Sequence, residues 1–150
     1  PKQLNYIQRK LMDINYHIYG STKYFEKYGM PKTLSDLNKH KLISFGRGAP
    51  SPVFNPDWAL KLGMKDNKKR KTVMRVNSVM GLLLAVESGV GLAALPDYIV
   101  SLSNNVIKVL PKVEGPITEA HFVFPESLKN VARVTIFRNF LYSKISEFKS

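Results

Sequence analysis

The chain has 150 residues and no cysteine. That absence excludes disulfides, a thiolate nucleophile and thiolate-held zinc together, and it fits a reducing, cytoplasmic setting. Acidic residues are also scarce, with 11 Asp and Glu against 23 Lys and Arg for a net charge of +12. A surplus of that size attracts polyanions through long-range field and counterion release, which names a class of partner and no particular one. Histidine is rare, and His17, His40 and His121 stand far apart with no other metal ligand at helical spacing, so no metal site is expected. No apolar run approaches the roughly 20 residues of a membrane-spanning helix. A cleavable leader is missing from the start, and Pro1 is soon followed by strand-like sequence, so the chain reads as a piece of something longer. No nucleophile elbow, phosphate-binding loop or paired carboxylates occur, so neither catalytic residues nor a cofactor is expected.

What remains is 44% hydrophobic, enough for a globular core, and it is patterned. Ile14 to Tyr19 alternates as a half-buried strand and stops at Gly20, with Ser21 placed to cap a short helix from Thr22 to Tyr28 that ends at Gly29 and Pro31. Thr33 and Asp36 form a capping box for a helix ending near His40, Leu42 to Phe45 is a short strand, and Gly46 to Pro56 is loop. Thr72 to Val76 alternates as a strand. Asn77 and Ser78 then cap a helix whose Val79, Leu82, Leu83 and Val86 make one apolar stripe, closed by Gly89. Val90 to Leu95, Val106 to Leu110 and Ala120 to Phe124 are strands, and Leu128 to Phe148 is a long amphipathic helix. This alternation predicts an α/β fold with a mostly parallel sheet.

In such folds ligands collect where strands run into helix N-termini, and two corners qualify here, Gly20-Ser21 and Asn77-Ser78-Val79. Simple capping needs the same residues. Gly89-Val90-Gly91-Leu92-Ala93-Ala94 matches a dinucleotide fingerprint in letters, but a helix precedes it and a strand follows, the reverse of what that loop requires, so it reads as a helix stop and tight turn. The dense basic run Lys65 to Lys71 lacks interleaved aromatics and reads as a solvated loop, the alternative being a stand-alone basic nucleic-acid-binding module. His121 and Trp58 read as packing residues, with Trp58 also able to wall a pocket.

Several blocks together resemble the effector-binding domain of LysR-type transcriptional regulators. They are Ile18 to Phe25, Gly29-Met30-Pro31, Leu34 to His40, Val76-Asn77-Ser78, Val86 to Tyr98, Val109-Leu110-Pro111, Phe124-Pro125-Glu126 and Arg133 to Leu141, in the family's order. The resemblance implies a fold like the type 2 periplasmic binding proteins, two α/β lobes joined by hinge strands near 14–19 and 119–124. Residues 1–20 would end an incomplete first lobe and enter a hinge, 21–100 would form the second, effector-binding lobe, and 101–150 would return through the other hinge to the first lobe's C-terminal helix. It further implies a small-molecule effector in a cleft between the lobes, touching Ser21, Asn77, Ser78 and Val79; the free N–H groups at those two helix N-termini make an anionic effector the expectation, with Phe45 and Trp58 as candidate walls. It implies no enzyme activity, no cofactor, no metal and no membrane. The family's full-length proteins are homo-oligomers that reach DNA through an N-terminal winged helix-turn-helix, and neither that element nor the first half of the first lobe is in this sequence.

Overall fold

A computed structural model describes residues 5–46, 55–66 and 68–148. Most of the loop expected over Gly46 to Pro56, Asn67 of the basic run and the side chain of Phe148 lie outside the described residues. The chain forms two compact units, Pro1–Ile14 with Thr118–Ser150 and Asn15–Ile117.

The second unit is built on a sheet. β1 (Tyr6–Ser21) enters it, followed by α1 (Thr22–Tyr28), β2 (Leu42–Phe45), α2 (Trp58–Lys61), β3 (Met74–Val76), α3 (Val79–Glu87), β4 (Leu92–Pro96), α4 (Asp97–Val100) and β5 (Val106–Val109). The strand order is β3-β2-β4-β1-β5. β2 pairs in parallel with both β3 and β4, while β1 runs antiparallel to β4, with Ile18 opposite Ala94, and to β5, with Ile18 opposite Val109. The sheet is therefore mixed: β2 to β5 share one direction and β1 opposes them. Strand and helix alternation signals crossovers, and it carries no information about the direction of the one strand that enters from outside the unit.

Local chemistry explains most boundaries. Ser21 caps α1 by accepting the Tyr24 N–H at 3.3 Å, and the chain leaves α1 at Gly29, whose φ of 73° suits glycine. The capping box forms, with Thr33 N–H donating to Asp36 Oδ2 at 2.8 Å and Asp36 N–H to Thr33 Oγ1 at 3.3 Å, yet the segment it starts is a 3-10 turn, Ser35–Lys39. α3 ends with Gly89 N–H on Val86 O at 2.9 Å, and β4 follows, so the glycine-rich run is a helix stop leading into a strand. The core gathers Tyr19, Ile43, Leu82, Leu83, Val86, Leu95 and Ile99. The three buried leucine and valine side chains of α3 stabilise the fold by roughly 1.5–3 kcal/mol each before entropy.

The first unit contains residues 6–14 of β1, β6 (Ile117–Pro125, from Thr118) and α5 (Ala132–Phe148), with β6 paired to β1. Phe122 packs against Phe124 and Phe137, at ring separations of 5.3 and 5.9 Å. His121 points the other way and is exposed, 3.4 Å from Glu119, because the alternation along β6 turns Phe122 and Phe124 inward instead. Much of α5 is open: Ile136 is 68% exposed, Phe137 52% and Phe140 54%.

Gly91 supports the β2–β4 register. A side chain there would place its Cβ 2.5 Å from the Lys41 carbonyl oxygen, which accepts the Leu92 N–H at 2.8 Å. Gly91→Ala should lower stability by about 1–3 kcal/mol, seen as a lower urea midpoint at unchanged slope. An unaltered midpoint would show that this approach does not constrain the sheet.

Candidate functional site

The parallel strands β2, β3 and β4 point their carboxyl ends the same way, and α3 begins there directly after β3. At these ends lies a narrow slot. Its walls are Ser44 and Phe45 from β2, Trp58 and Leu60 from α2, Val79 and Leu82 from α3, and Ala94 and Pro96 from β4. The space between them is about 30 Å³, room for one water molecule. Trp58 is 9% exposed and its ring lies across Gly115, where a Cβ would come within 2.7 Å of Trp58 Cζ2.

One carboxylate organises the rim. Asp57 accepts from Ser44 Oγ at 2.8 Å, Lys69 Nζ at 2.9 Å and Arg75 Nη1 at 3.1 Å, and the same Arg75 nitrogen donates to Phe45 O at 2.8 Å. Burial by itself pushes the Asp57 carboxyl up, but hydrogen bonds from Arg75, Lys69 and Ser44 and the charge of Arg75 outweigh it and hold the group at about 2. A second hub lies at the start of α4, where Asp97 takes His17 Nδ1 at 2.7 Å and the Tyr19 hydroxyl at 2.9 Å, with Lys108 Nζ at 3.5 Å.

The structure brings Phe45, Trp58 and Val79 together as walls of the slot. Asn77 and Ser78 are exposed just outside it. Ser78 Oγ accepts the Gly81 N–H at 3.3 Å as the cap of α3, and the Asn77 amide fills the space where a side chain on Gly46 would stand. Ser21 is apart from them: it is 0% exposed, pairs across from Val106, and its hydroxyl is occupied as the cap of α1. Ser44, Asp57 and Arg75 were not singled out by sequence pattern. The one local signal is an aspartate directly before the sole tryptophan.

The basic run is divided by the fold. Arg70, 9% exposed, donates to Asn38 Oδ1 at 2.7 Å and to the carbonyls of Leu62 at 2.6 Å and Leu34 at 3.0 Å, so it ties loops together. Lys69 is engaged by Asp57. Lys65, Lys68 and Lys71 remain exposed, which leaves a nucleic-acid module only part of the cluster it would use. Among the described residues no group of three or more His, Asp or Glu side chains is arranged to hold a metal ion.

The family described as LysR substrate binding domain matches residues 1–145. A helix-turn-helix-type transcriptional regulator of Haemophilus influenzae is 26% identical over 133 residues, and the match covers 86% of this chain and 45% of that protein. Among solved structures, the regulatory domain of CrgA, a LysR-type transcriptional regulator from Neisseria meningitidis, superposes with a TM-score of 0.78 at 20% identity, covering 97% of this chain and 71% of that one. The structure of CrgA itself gives 0.77 at 21% identity, covering 93% of this chain and 48% of that one.

The Asp57 hub makes stability depend on pH. The folded carboxyl keeps its charge down to about pH 2, while in the unfolded chain it takes up a proton near 3.8. The stabilisation, about 2 kcal/mol for a difference of this size, is therefore present in full above about pH 5 and lost as pH falls towards 2. Asp57→Asn should lower stability at pH 7 by about that amount or more, since it leaves Arg75 without its counter-charge. Urea unfolding of both proteins between pH 7 and 2.5 checks this. Parallel pH profiles would show that Asp57 is not the titrating group.

Proposed function

The chain belongs to the LysR substrate-binding-domain family, and from that premise we propose that it is the effector-sensing part of a cytoplasmic, DNA-binding transcriptional regulator rather than an enzyme. The second unit is its effector-binding lobe, and the slot bounded by Phe45, Trp58 and Val79 receives a small molecule with an apolar body and an anionic group. Regulation of transcription, DNA contact and homo-oligomerisation belong to the longer protein that such a domain serves.

The observation that carries this reading is the position of the slot: an apolar pocket at the carboxyl ends of β2 and β4, directly at the N-terminus of α3. Phe45, Trp58 and Val79 supply surface for an apolar body. The first turn of α3 presents backbone N–H groups and the positive end of the helix, which suits an anion beside Asn77 and Ser78. Ser21 serves as a structural cap in this reading.

The narrowness of the slot bears on mechanism. With about 30 Å³ between its walls, a ligand larger than water that enters between them favours a more open state of the slot. Such a ligand shifts the population towards that state by its differential affinity, which is the coupling a regulator requires.

Trp58, the single tryptophan, reports directly on the slot. A panel of aliphatic and aromatic carboxylates should include one that shifts Trp58 emission and raises the melting temperature, by about 2.7 kcal/mol of stabilisation at 100 times its Kd. Ser78→Asp keeps a capping oxygen and adds a negative charge, so it should preserve the fold and abolish both responses. A carboxylate that stabilises the protein without moving Trp58 emission, or that binds Ser78→Asp equally well, would place the ligand elsewhere.

A further inference from the structure

At the opposite ends of the parallel strands is a second concavity. Lys41 precedes β2, Val73 precedes β3 and Val90 precedes β4, and together with Lys23, Lys27 and Tyr28 of α1 they line an open pocket of about 430 Å³. Volumes of this size are typical of small-ligand sites. The nine residues of α3 separate it from the slot, a length of about 13 Å.

Three features distinguish this pocket from scattered surface lysines. No acidic side chain lines it, and among the described residues neither Lys23, Lys27 nor Lys41 makes an ion pair, although the chain has other lysines that do. Lys27 and Lys41 both lie over the ring of Tyr28, at 5.4 and 5.1 Å from its centroid, so one aromatic ring is shared by two cations. Hydrogen bonding from Lys41, and after it the charges of Lys27 and Lys41, draw the Tyr28 phenol below its ordinary value. The third lysine is supported from below, since its stem passes over Gly89, where a Cβ would lie 3.4 Å from Lys23 Cγ.

Like charges held together without a counter-charge repel, and a bound anion of matching charge relieves that repulsion in proportion to its own charge. A monocarboxylate brings one negative charge to the three lysines, whereas a phosphoryl group brings up to two and a third acceptor oxygen. We propose that the pocket framed by Lys23, Lys27, Tyr28 and Lys41 binds a small phosphate-bearing anion, at a site separate from the effector slot. Its concave shape and volume fit a free phosphorylated molecule better than the convex backbone of a nucleic-acid duplex.

Isothermal titration of the chain with inorganic pyrophosphate tests this. One saturable site is expected, weakened at least tenfold in Lys27→Gln/Lys41→Gln and less than twofold in Lys112→Gln/Lys129→Gln, which removes the same charge at exposed positions elsewhere. Trp58 emission should not respond to pyrophosphate, which separates this site from the slot whatever becomes of the effector proposal. Far-UV circular dichroism establishes that the variants are folded, and Lys27→Gln alone, on an exposed face of α1, gives a smaller loss in the same direction should the double variant fail. Absence of saturable binding, equal weakening in both double variants, or a pyrophosphate-induced change in Trp58 emission would overturn the proposal. So would a 20-base-pair duplex whose binding needs Lys27 and Lys41 when that of pyrophosphate does not.

Discussion

The second unit depends on one strand segment being accommodated between two others. Tyr16 to Tyr19 of β1 pair with β4 and Ile18 to Ser21 with β5, so that Ile18 and Tyr19 have strand partners on both edges, and Tyr16, Ile18, Tyr19 and Ser21 are all under 5% exposed. A strand so enclosed has no outlet to water for a polar group, so each hydroxyl needs an internal partner. Tyr19 finds it in Asp97, and Ser21 in the first turn of α1. Gly20 between them is required by space, because a side chain there would run into Phe25 and Leu92. From this segment follow the start of α1, the placement of β4 and the seat of α4.

The shortage of carboxylates makes each partly buried one consequential. Asp57 and Asp97 each collect donors from separate elements, and both stand at helix starts, before α2 and at the head of α4. Partly buried pairs of this kind are screened less by salt than surface ones, and the cost of removing one partner exceeds the value of the pair. Asp57 therefore joins the end of β2, the segment after α2 and β3 into one rim around the slot, by electrostatics where the slot itself is apolar.

Legibility in the sequence followed the range of the interactions. α3 was readable because its stripe, its Ser78 cap and its Gly89 stop are all local, and the strands at Leu42 and Val106 were bounded by loop residues that break a ladder. α2 and α4 have four residues each and carry no period to detect. The outer half of β1 has three consecutive exposed residues, Gln8, Arg9 and Lys10, and so no alternation. At the slot, Phe45, Trp58 and Val79 stand out in the sequence as a strand-end aromatic, the sole tryptophan and a helix start, while Ser44, Asp57 and Arg75 meet only through the sheet. Ser21 and Ser78 looked equivalent because both are caps; burial separates them, and burial is a property of the whole fold.

The open apolar residues have a colloidal consequence. α5 leaves Ile136, Phe137 and Phe140 in water, and α3 leaves Met80 44% and Leu84 55% exposed. Molecules carrying such surfaces adhere on collision unless something holds them apart, and here that is a net charge of +12 on every copy. The repulsion reaches about 30 Å at 10 mM salt and only about 3 Å at 1 M. Concentrated salt screens that charge while strengthening the attraction between apolar surfaces, so the two terms oppose each other most at low salt.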